Sequence, residues 1–349
     1  MMFGETARRL AALGCPFWCL AVTPALADDS AATLAAGGLV LQKTDKIALV
    51  SEDLYLSATT VRISYRFRNL TTTDYSTTIA FPMPDFTGGG VNFETAVPDP
   101  ASDNFMKFST VVDGQPVSSQ LEQRAFLTSD GKPDVEITSK LRALRIPLVP
   151  TVDATEAAVG QLPDNERKSL VDANILDVGE SSNYKGEQTT LYPLWTLRSK
   201  YWRTQVFPKE QDIVVQQTYV PIAGNLVGVP SGFPDLDPKT RDAYRTKYCT
   251  DESFLKSARA LYQRAGSEYA KTYSAFEQYV SYIITSGGNW AGPIGDFKLI
   301  VDKGDPSAFV SFCGSDIKKI NPTQFEVEIK NFTPKHDIDI LFLKADPAQ

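Results

Sequence analysis

The chain has 349 residues, 42% of them hydrophobic and 22% charged, with a formal net charge of −7 at neutral pH. This length allows one large core or two ordinary ones. The acidic balance, with no run of Lys or Arg that would neutralise several neighbouring phosphates, excludes nucleic acid and anionic lipid as the main partner.

The first 27 residues read as a secretory signal peptide. Arg8 and Arg9 precede a mostly apolar run over residues 10–26, and Ala25-Leu26-Ala27 is the small-x-small pattern that signal peptidase cuts after. Pro16 and Pro24 interrupt the run, which falls short of the roughly 20 apolar residues that spanning requires. A rival reading is lipoprotein processing at Cys15, because Ala12-Leu13-Gly14-Cys15 loosely resembles a lipobox; the usual Leu three positions before the cysteine is absent. Cleavage after Ala27 leaves 322 residues beginning at Asp28, a charge of −8, no transmembrane segment, and a periplasmic or secreted location. Cys249 and Cys313 then remain, a pair expected to form a disulfide in an oxidising compartment. The 65-residue loop it closes is worth about 4 kcal/mol on the chain-entropy account. Two separate buried thiols are the alternative.

Residues 28–148 carry strand signals and read as an N-terminal β-sandwich-like domain. Leu39-Val40-Leu41-Gln42, Ile47-Ala48-Leu49-Val50 and Leu54-Tyr55-Leu56 are short β-prone runs. Val61-Arg62-Ile63-Ser64-Tyr65-Arg66-Phe67-Arg68 alternates strictly, so one face is buried and three arginines line the other. Residues 69–75 supply turn residues, and Ser76-Thr77-Thr78-Ile79-Ala80-Phe81 returns as the second strand of a predicted hairpin that Pro82 and Pro84 end. Asp113-Gly114 between β-prone runs at 108–112 and 115–117 predicts a tight turn.

Residues 149–186 read as a helical insertion and linker, with a helix opening at Pro163-Asp164 and a polar loop over 179–186. A C-terminal β domain follows over 187–349, beginning with an aromatic-rich stretch at 191–207 and a strand at 213–220. A helical segment is expected at about 240–282, where Phe254, Leu255, Ala258, Leu261, Tyr262 and Ala265 recur at helical spacing after Asp251 as N-cap. Strands close the chain near 297–301, 308–312, 324–329 and 338–343. The fold class is mainly β with helical insertions (α+β), built as one or two sandwich-like layers.

No catalytic constellation emerges. His336 is the one histidine, so no two-histidine metal or acid–base pair is available, and its flanking Lys335 and Asp337 mark a surface turn. Ser-x-x-Lys occurs at Ser129/Lys132, Ser253/Lys256 and Ser315/Lys318 without its companion motifs. Asp235/Asp237 and Asp337/Asp339 lack the Gly and bidentate Glu of a calcium loop, and Gly88-Gly89-Gly90 lacks the Lys and helix of a phosphate cradle. No metal or cofactor is expected. The densest unusual composition is in 195–207 and 287–297, where packing of aromatics into a core competes with a recognition surface formed by Trp202, Arg203, Asn289, Trp290 and Asp296.

Ala32-Thr33-Leu34-Ala35-Ala36-Gly37-Gly38-Leu39, Ser51-Glu52-Asp53-Leu54, Tyr65-Arg66-Phe67 with Phe81-Pro82-Met83-Pro84, and Asn289-Trp290-x-Gly292-Pro293-Ile294-Gly295-Asp296-Phe297 resemble the bacterial family known as domain of unknown function 4424, with echoes at Val301-Asp302-Lys303-Gly304 and Ser311-Phe312-Cys313. The resemblance implies a secreted, periplasmic bacterial protein and carries over no activity and no functional residue. Residues 61–125 are also similar to the opening of vault-protein inter-alpha-trypsin domains, β-structured interaction modules. The expectation is an exported, non-enzymatic binding or scaffolding protein whose partner is an envelope protein or glycan. The alternative is a periplasmic hydrolase of envelope sugars or peptides using paired carboxylates, with Asp85, Glu94, Asp103 and Asp296 as candidates.

Overall fold

Alternation along strand Val61–Asn69 sets the centre of the fold: Val61, Ile63, Tyr65 and Phe67 are buried, while Arg62, Arg66 and Arg68 are exposed. The computed structural model describes residues 29–35, 38–88, 94–95, 97–129, 131–183, 186–265 and 273–347. The leader, Cys15, Cys19 and Gly89-Gly90 lie outside the described residues. Val61–Asn69 belongs to an eight-stranded sheet ordered Lys318–Lys319, Gln324–Phe332, Ile294–Asp302, Ile47–Ser57, Val61–Asn69, Asp212–Tyr219, Ser109–Val112 and Gln115–Val117. Its pairings are antiparallel except between Ile294–Asp302 and Ile47–Ser57, which run parallel.

A seven-stranded sheet runs Val135–Glu136, Gln120–Leu127, Thr196–Phe207, Tyr75–Pro82, Ser30–Ala35, Gly38–Gln42, with Phe86–Thr87 also on Thr196–Phe207. A five-stranded sheet runs Phe309–Phe312, Ile338–Pro347, Tyr273–Tyr282, Gly224–Val227, Glu94–Thr95. One apolar cluster takes Tyr65 and Phe67 from the first sheet, Phe81 and Phe207 from the second, and Val280 and Phe342 from the third. The two smaller sheets therefore both pack on the inner face of the eight-stranded one. Strands from 28–148 and from 187–349 share each of the three sheets.

Helices Thr138–Ala143, Val152–Val159 and Asp164–Asp172 cover a second cluster around Trp195, Leu141, Val159 and Leu170. Helices Pro238–Tyr248 and Glu252–Ala265 press Tyr248, Phe254, Leu255 and Leu261 onto Leu341 and Leu343 of the five-stranded sheet. Asp237 caps the first of these through Thr240 N (2.9 Å), and Asp251 meets Phe254 N (2.7 Å) as its spacing predicts. The Cys249–Cys313 disulfide is formed, joining the left-handed C-cap of Pro238–Tyr248 (Cys249 φ 53°) to the end of strand Phe309–Phe312. The architecture is mainly β with helical insertions, and no helix among the described residues is long and apolar enough to cross a membrane.

Four local expectations are corrected. Val61–Asn69 and Tyr75–Pro82 are not a hairpin: they pair in different sheets, and the turn between them arches from one layer to the other. Asn69 pins the arch, its Nδ2 donating to Thr73 O (2.9 Å) and Phe207 O (2.8 Å) while its Oδ1 accepts from Thr71 N (2.8 Å). Both strands bury an apolar face, and stacking the faces hides them as pairing edge to edge would not. The runs at 47–50 and 54–56 are one strand, Ile47–Ser57, with a bulge between Leu49 and Ser51. The polar loop at 179–186 belongs to a β-ribbon, Leu176–Asn183 with Gly186–Pro193. The helical segment ends with Glu252–Ala265, and Tyr273–Tyr282 is a strand. Its Phe276/Tyr279/Val280 spacing fits either period, and pairing with Ile338–Pro347 decides. The Asp113-Gly114 turn forms as expected, with both residues at positive φ (46° and 80°) between Val112 and Gln115.

Candidate functional site: an open groove and a buried polar cluster

The outer face of the eight-stranded sheet carries two side-chain rows set by strand register. One runs Val111, Gln216, Ser64, Asp53, Lys298, Glu328; the next runs Ser109, Thr218, Arg62, Tyr55, Ile300, Glu326. Cross-strand neighbours on one face lie close enough to act together, and these rows line a groove of about 520 Å³. The Arg62 guanidinium lies over the Tyr55 ring, 3.8 Å from its centroid, and Tyr55 OH donates to Asp302 Oδ2 at 2.9 Å. Partial burial and then the Asp302 contact push the Tyr55 phenol up. Lys298 closes one end, bound to Glu326 (2.6 Å) and Glu328 (3.6 Å), and the Glu326 hydrogen bond holds its ammonium above the usual range. Serine, threonine and glutamine hydroxyls and amides, one phenol and one guanidinium thus converge on a face that sequence reading marked only by its outward arginines.

The residues singled out in the sequence are divided by the structure. Trp290 is 3% exposed, its ring 4.7 Å from Phe67 and 6.3 Å from Phe207, and its Nε1 donates to Asp29 O at 2.7 Å. Asn289 Nδ2 donates to Ser30 Oγ at 3.0 Å, and Asn289 O accepts from Thr44 N at 2.8 Å. Together they clamp the start of strand Ser30–Ala35. A hollow of about 640 Å³ beside the clamp is lined by Lys43, Thr44, Gly288, Trp290, Pro293 and Phe332. Gly295 passes so close to Val50 that a Cβ there would meet Val50 O at 2.5 Å. Arg203 points inward toward Asp29, whereas Trp202, its neighbour on the opposite face of the strand, packs on Ala32, Leu39 and Ala80. Asp296 is exposed and paired with Lys330.

Arg203 leads to a buried polar cluster. Asp29 is fully buried; its Oδ1 accepts from Gln217 Nε2 at 2.9 Å and its Oδ2 lies 3.9 Å from the Arg203 guanidinium. Glu52, also fully buried, accepts from Tyr282 OH at 3.4 Å, and that hydroxyl is 3.1 Å from Tyr65 OH. Burial pushes the Glu52 carboxyl up to about 8 against the Tyr282 hydrogen bond, with the negative charges of Asp29 and Asp53 adding to the rise. Burial likewise raises Asp29, opposed by Arg203 and Gln217, and lowers Arg203. Among the described residues, Asp29 Oδ2, Glu52 Oε2, Gln217 Oε1 and Arg203 Nη2 are buried without a hydrogen-bond partner. Sequence reading missed this cluster because Glu52 and Gln217 occupy polar-looking positions whose inward direction depends on the bulge and the register.

The acids considered for hydrolysis sit on separate elements. Asp85 binds Arg198 (3.0 Å), Asp103 follows the turn at 99–102, Asp296 pairs with Lys330, and Glu94 starts the short strand Glu94–Thr95. His336 is exposed, and Asp337 accepts from Thr285 N and Oγ1 (3.2 and 2.8 Å). Among the described residues no group of three or more His, Cys, Asp or Glu is placed to hold a metal.

No curated protein matches the chain. A solved structure described as a "putative nutrient binding protein" from Legionella pneumophila subsp. pneumophila str. Philadelphia 1 is similar at 12% identity and a TM-score of 0.39, over 90% of this chain and 72% of that one. A zinc metallopeptidase of the M1 type from Deinococcus radiodurans is similar at 7% identity and a TM-score of 0.23, over 86% of this chain and 43% of that one. Likenesses this distant carry no functional argument. The family model described as Domain of unknown function (DUF4424) matches residues 27–341, and the chain belongs to that family.

Proposed function

We propose that the protein is exported and serves as a non-enzymatic binding protein of the cell envelope, holding a glycan across the outer face of its eight-stranded sheet. The groove between the two registered rows carries this reading. Ser64, Gln216, Thr218 and Ser109 offer hydroxyl and amide partners at strand spacing, Tyr55 offers an aromatic surface, and Arg62 a cation. Sugars are bound by such mixtures of hydrogen-bonding groups around an aromatic ring. The leader pattern, the Cys249–Cys313 bridge and a family match that starts at residue 27 support export.

Calorimetric titration with oligosaccharide fragments of the envelope tests it. Saturable binding is expected, with Arg62→Ala and Gln216→Ala each weakening it by about tenfold, equivalent to about 1.4 kcal/mol, at unchanged melting temperature. No saturable binding, or binding indifferent to both substitutions, would sink the reading.

A further inference from the structure

Among the described residues, Arg62 is a groove cation that no carboxylate of the protein holds. On the same outer face Arg68 is bound by Asp212, Lys330 by Asp296, and Lys298 by Glu326 and Glu328. Arg62 and Arg66 have no such partner among the described residues, and of this pair only Arg62 lines the groove.

The Arg62 side chain is nevertheless held in place. Its guanidinium lies 3.8 Å from the centroid of the Tyr55 ring, and that ring is anchored through its hydroxyl to Asp302 Oδ2, which also accepts from Gln324 Nε2 (2.7 Å), while Asp302 Oδ1 accepts from Gly304 N (2.8 Å). A ring face engages the charge of a guanidinium without supplying the pair of oxygen acceptors that its N–H fork matches. Thr218, exposed beside Arg62 in the same row, adds a hydroxyl. The surrounding charges set the valence of what fits there. Lys298 is already matched by its glutamates, and exposed Asp53 stands about 7 Å along the strand from Tyr55 on the same face. One negative charge on a ligand balances Arg62, whereas a second would face Asp53.

We propose that the groove selects a sugar carrying a single carboxylate, seated on the fork of Arg62 with Thr218 beside it, while hydroxyls of the same ligand meet Ser64, Gln216 and Asp53. The inference deepens the glycan reading and rests on it. Hydrogen bonds between a guanidinium and a carboxylate are charge-assisted and bidentate, so the acid group gives both affinity and orientation. A phosphate monoester, with close to two charges at neutral pH, leaves one of them unbalanced.

The probes are the disaccharide of N-acetylglucosamine and N-acetylmuramic acid, which bears a single carboxylate, and its methyl ester, which keeps the sugar framework and removes the charge. Calorimetric titration at neutral pH is expected to show the acid binding about tenfold tighter than the ester, the step that one charge-assisted pair supplies. Arg62→Gln is expected to bring acid and ester to equal affinity at unchanged melting temperature. Arg66→Gln removes the same charge from the same face outside the groove and is expected to keep the preference. Glucuronate is expected to compete better than glucose 6-phosphate. Equal binding of acid and ester by the parent chain, a preference that survives Arg62→Gln or falls as far with Arg66→Gln, or stronger competition by the phosphate overturns the carboxylate contact and leaves the glycan reading in place. Failure of both probes to bind a chain that binds neutral envelope oligosaccharides likewise overturns this contact alone. Failure of all of them to bind overturns both readings.

Discussion

The indole nitrogen of Trp290 donates to the backbone carbonyl of Asp29 at 2.7 Å, so a residue late in the chain secures the first described one. The ring is packed on Phe67 and Phe207 as well. Trp290→Ala is expected to cost about 3–5 kcal/mol, the range for emptying a core site of this size, and Trp290→Phe only about 1–2 kcal/mol, because it keeps most of the packing and drops the hydrogen bond. Urea denaturation followed by circular dichroism measures both; an alanine variant as stable as the parent would contradict the clamp.

Glu52 gives stability a defined pH dependence. Its folded carboxyl is pushed up to about 8 from an ordinary 4.5, chiefly by burial, with Tyr282, Asp29 and Asp53 the titratable groups acting on it and the Tyr65 hydroxyl 3.1 Å from that of Tyr282. The folded state therefore holds the proton longer than the unfolded one. Its contribution is complete below about pH 4.5 and is lost as pH rises through 8, on the order of a few kcal/mol. Glu52→Gln should flatten that slope. Stability measured from pH 4 to 9 that is unchanged by the substitution would show the carboxyl to be solvated.

Reduction of Cys249–Cys313 releases helix Pro238–Tyr248 from strand Phe309–Phe312. The double substitution Cys249→Ser and Cys313→Ser is expected to lose about 2–4 kcal/mol and to raise hydrogen exchange in both helices of that pair before the eight-stranded sheet opens. Exchange that rises uniformly over the chain would count against a local role.

Gly295→Ala tests why the Gly292-Pro293-Ile294-Gly295 run is built as it is. The new methyl would stand 2.5 Å from Val50 O, in the one parallel pairing of the sheet. A loss of about 1–3 kcal/mol is expected; a neutral outcome in thermal melts would mean the strands part easily there.

Some of this architecture was legible in residues alone. The alternation at 61–68 gave the buried and solvated faces of strand Val61–Asn69, Asp113-Gly114 gave the turn between Ser109–Val112 and Gln115–Val117, and the even cysteine pair gave the bridge. Which strands pair was not legible, because short β-prone runs carry no label for their neighbours: Tyr75–Pro82 follows Val61–Asn69 in the chain and leaves it in space. The groove suffered the same blindness, since Tyr55, Arg62, Gln216 and Lys298 become neighbours only through register. The Trp290 motif stood out by composition, but the inward direction of its ring needed the helix-to-strand turn to be seen. Asp29 and Glu52 look like ordinary surface acids until burial is measured.

The parallel pairing of Asp296 with Ser51 sets the order in which the protein can be made. One edge of strand Ile47–Ser57 meets its neighbour Val61–Asn69 directly, whereas the other waits for a strand encoded some two hundred and forty positions later, so the sheet is closed on that side only once the last portion of the chain is made. Contacts so distant in sequence make folding slow. Nascent chains stopped before residue 294 should accordingly leave strand Ile47–Ser57 open on the edge that Ile294–Asp302 covers, and more readily cleaved by protease there than in the full chain.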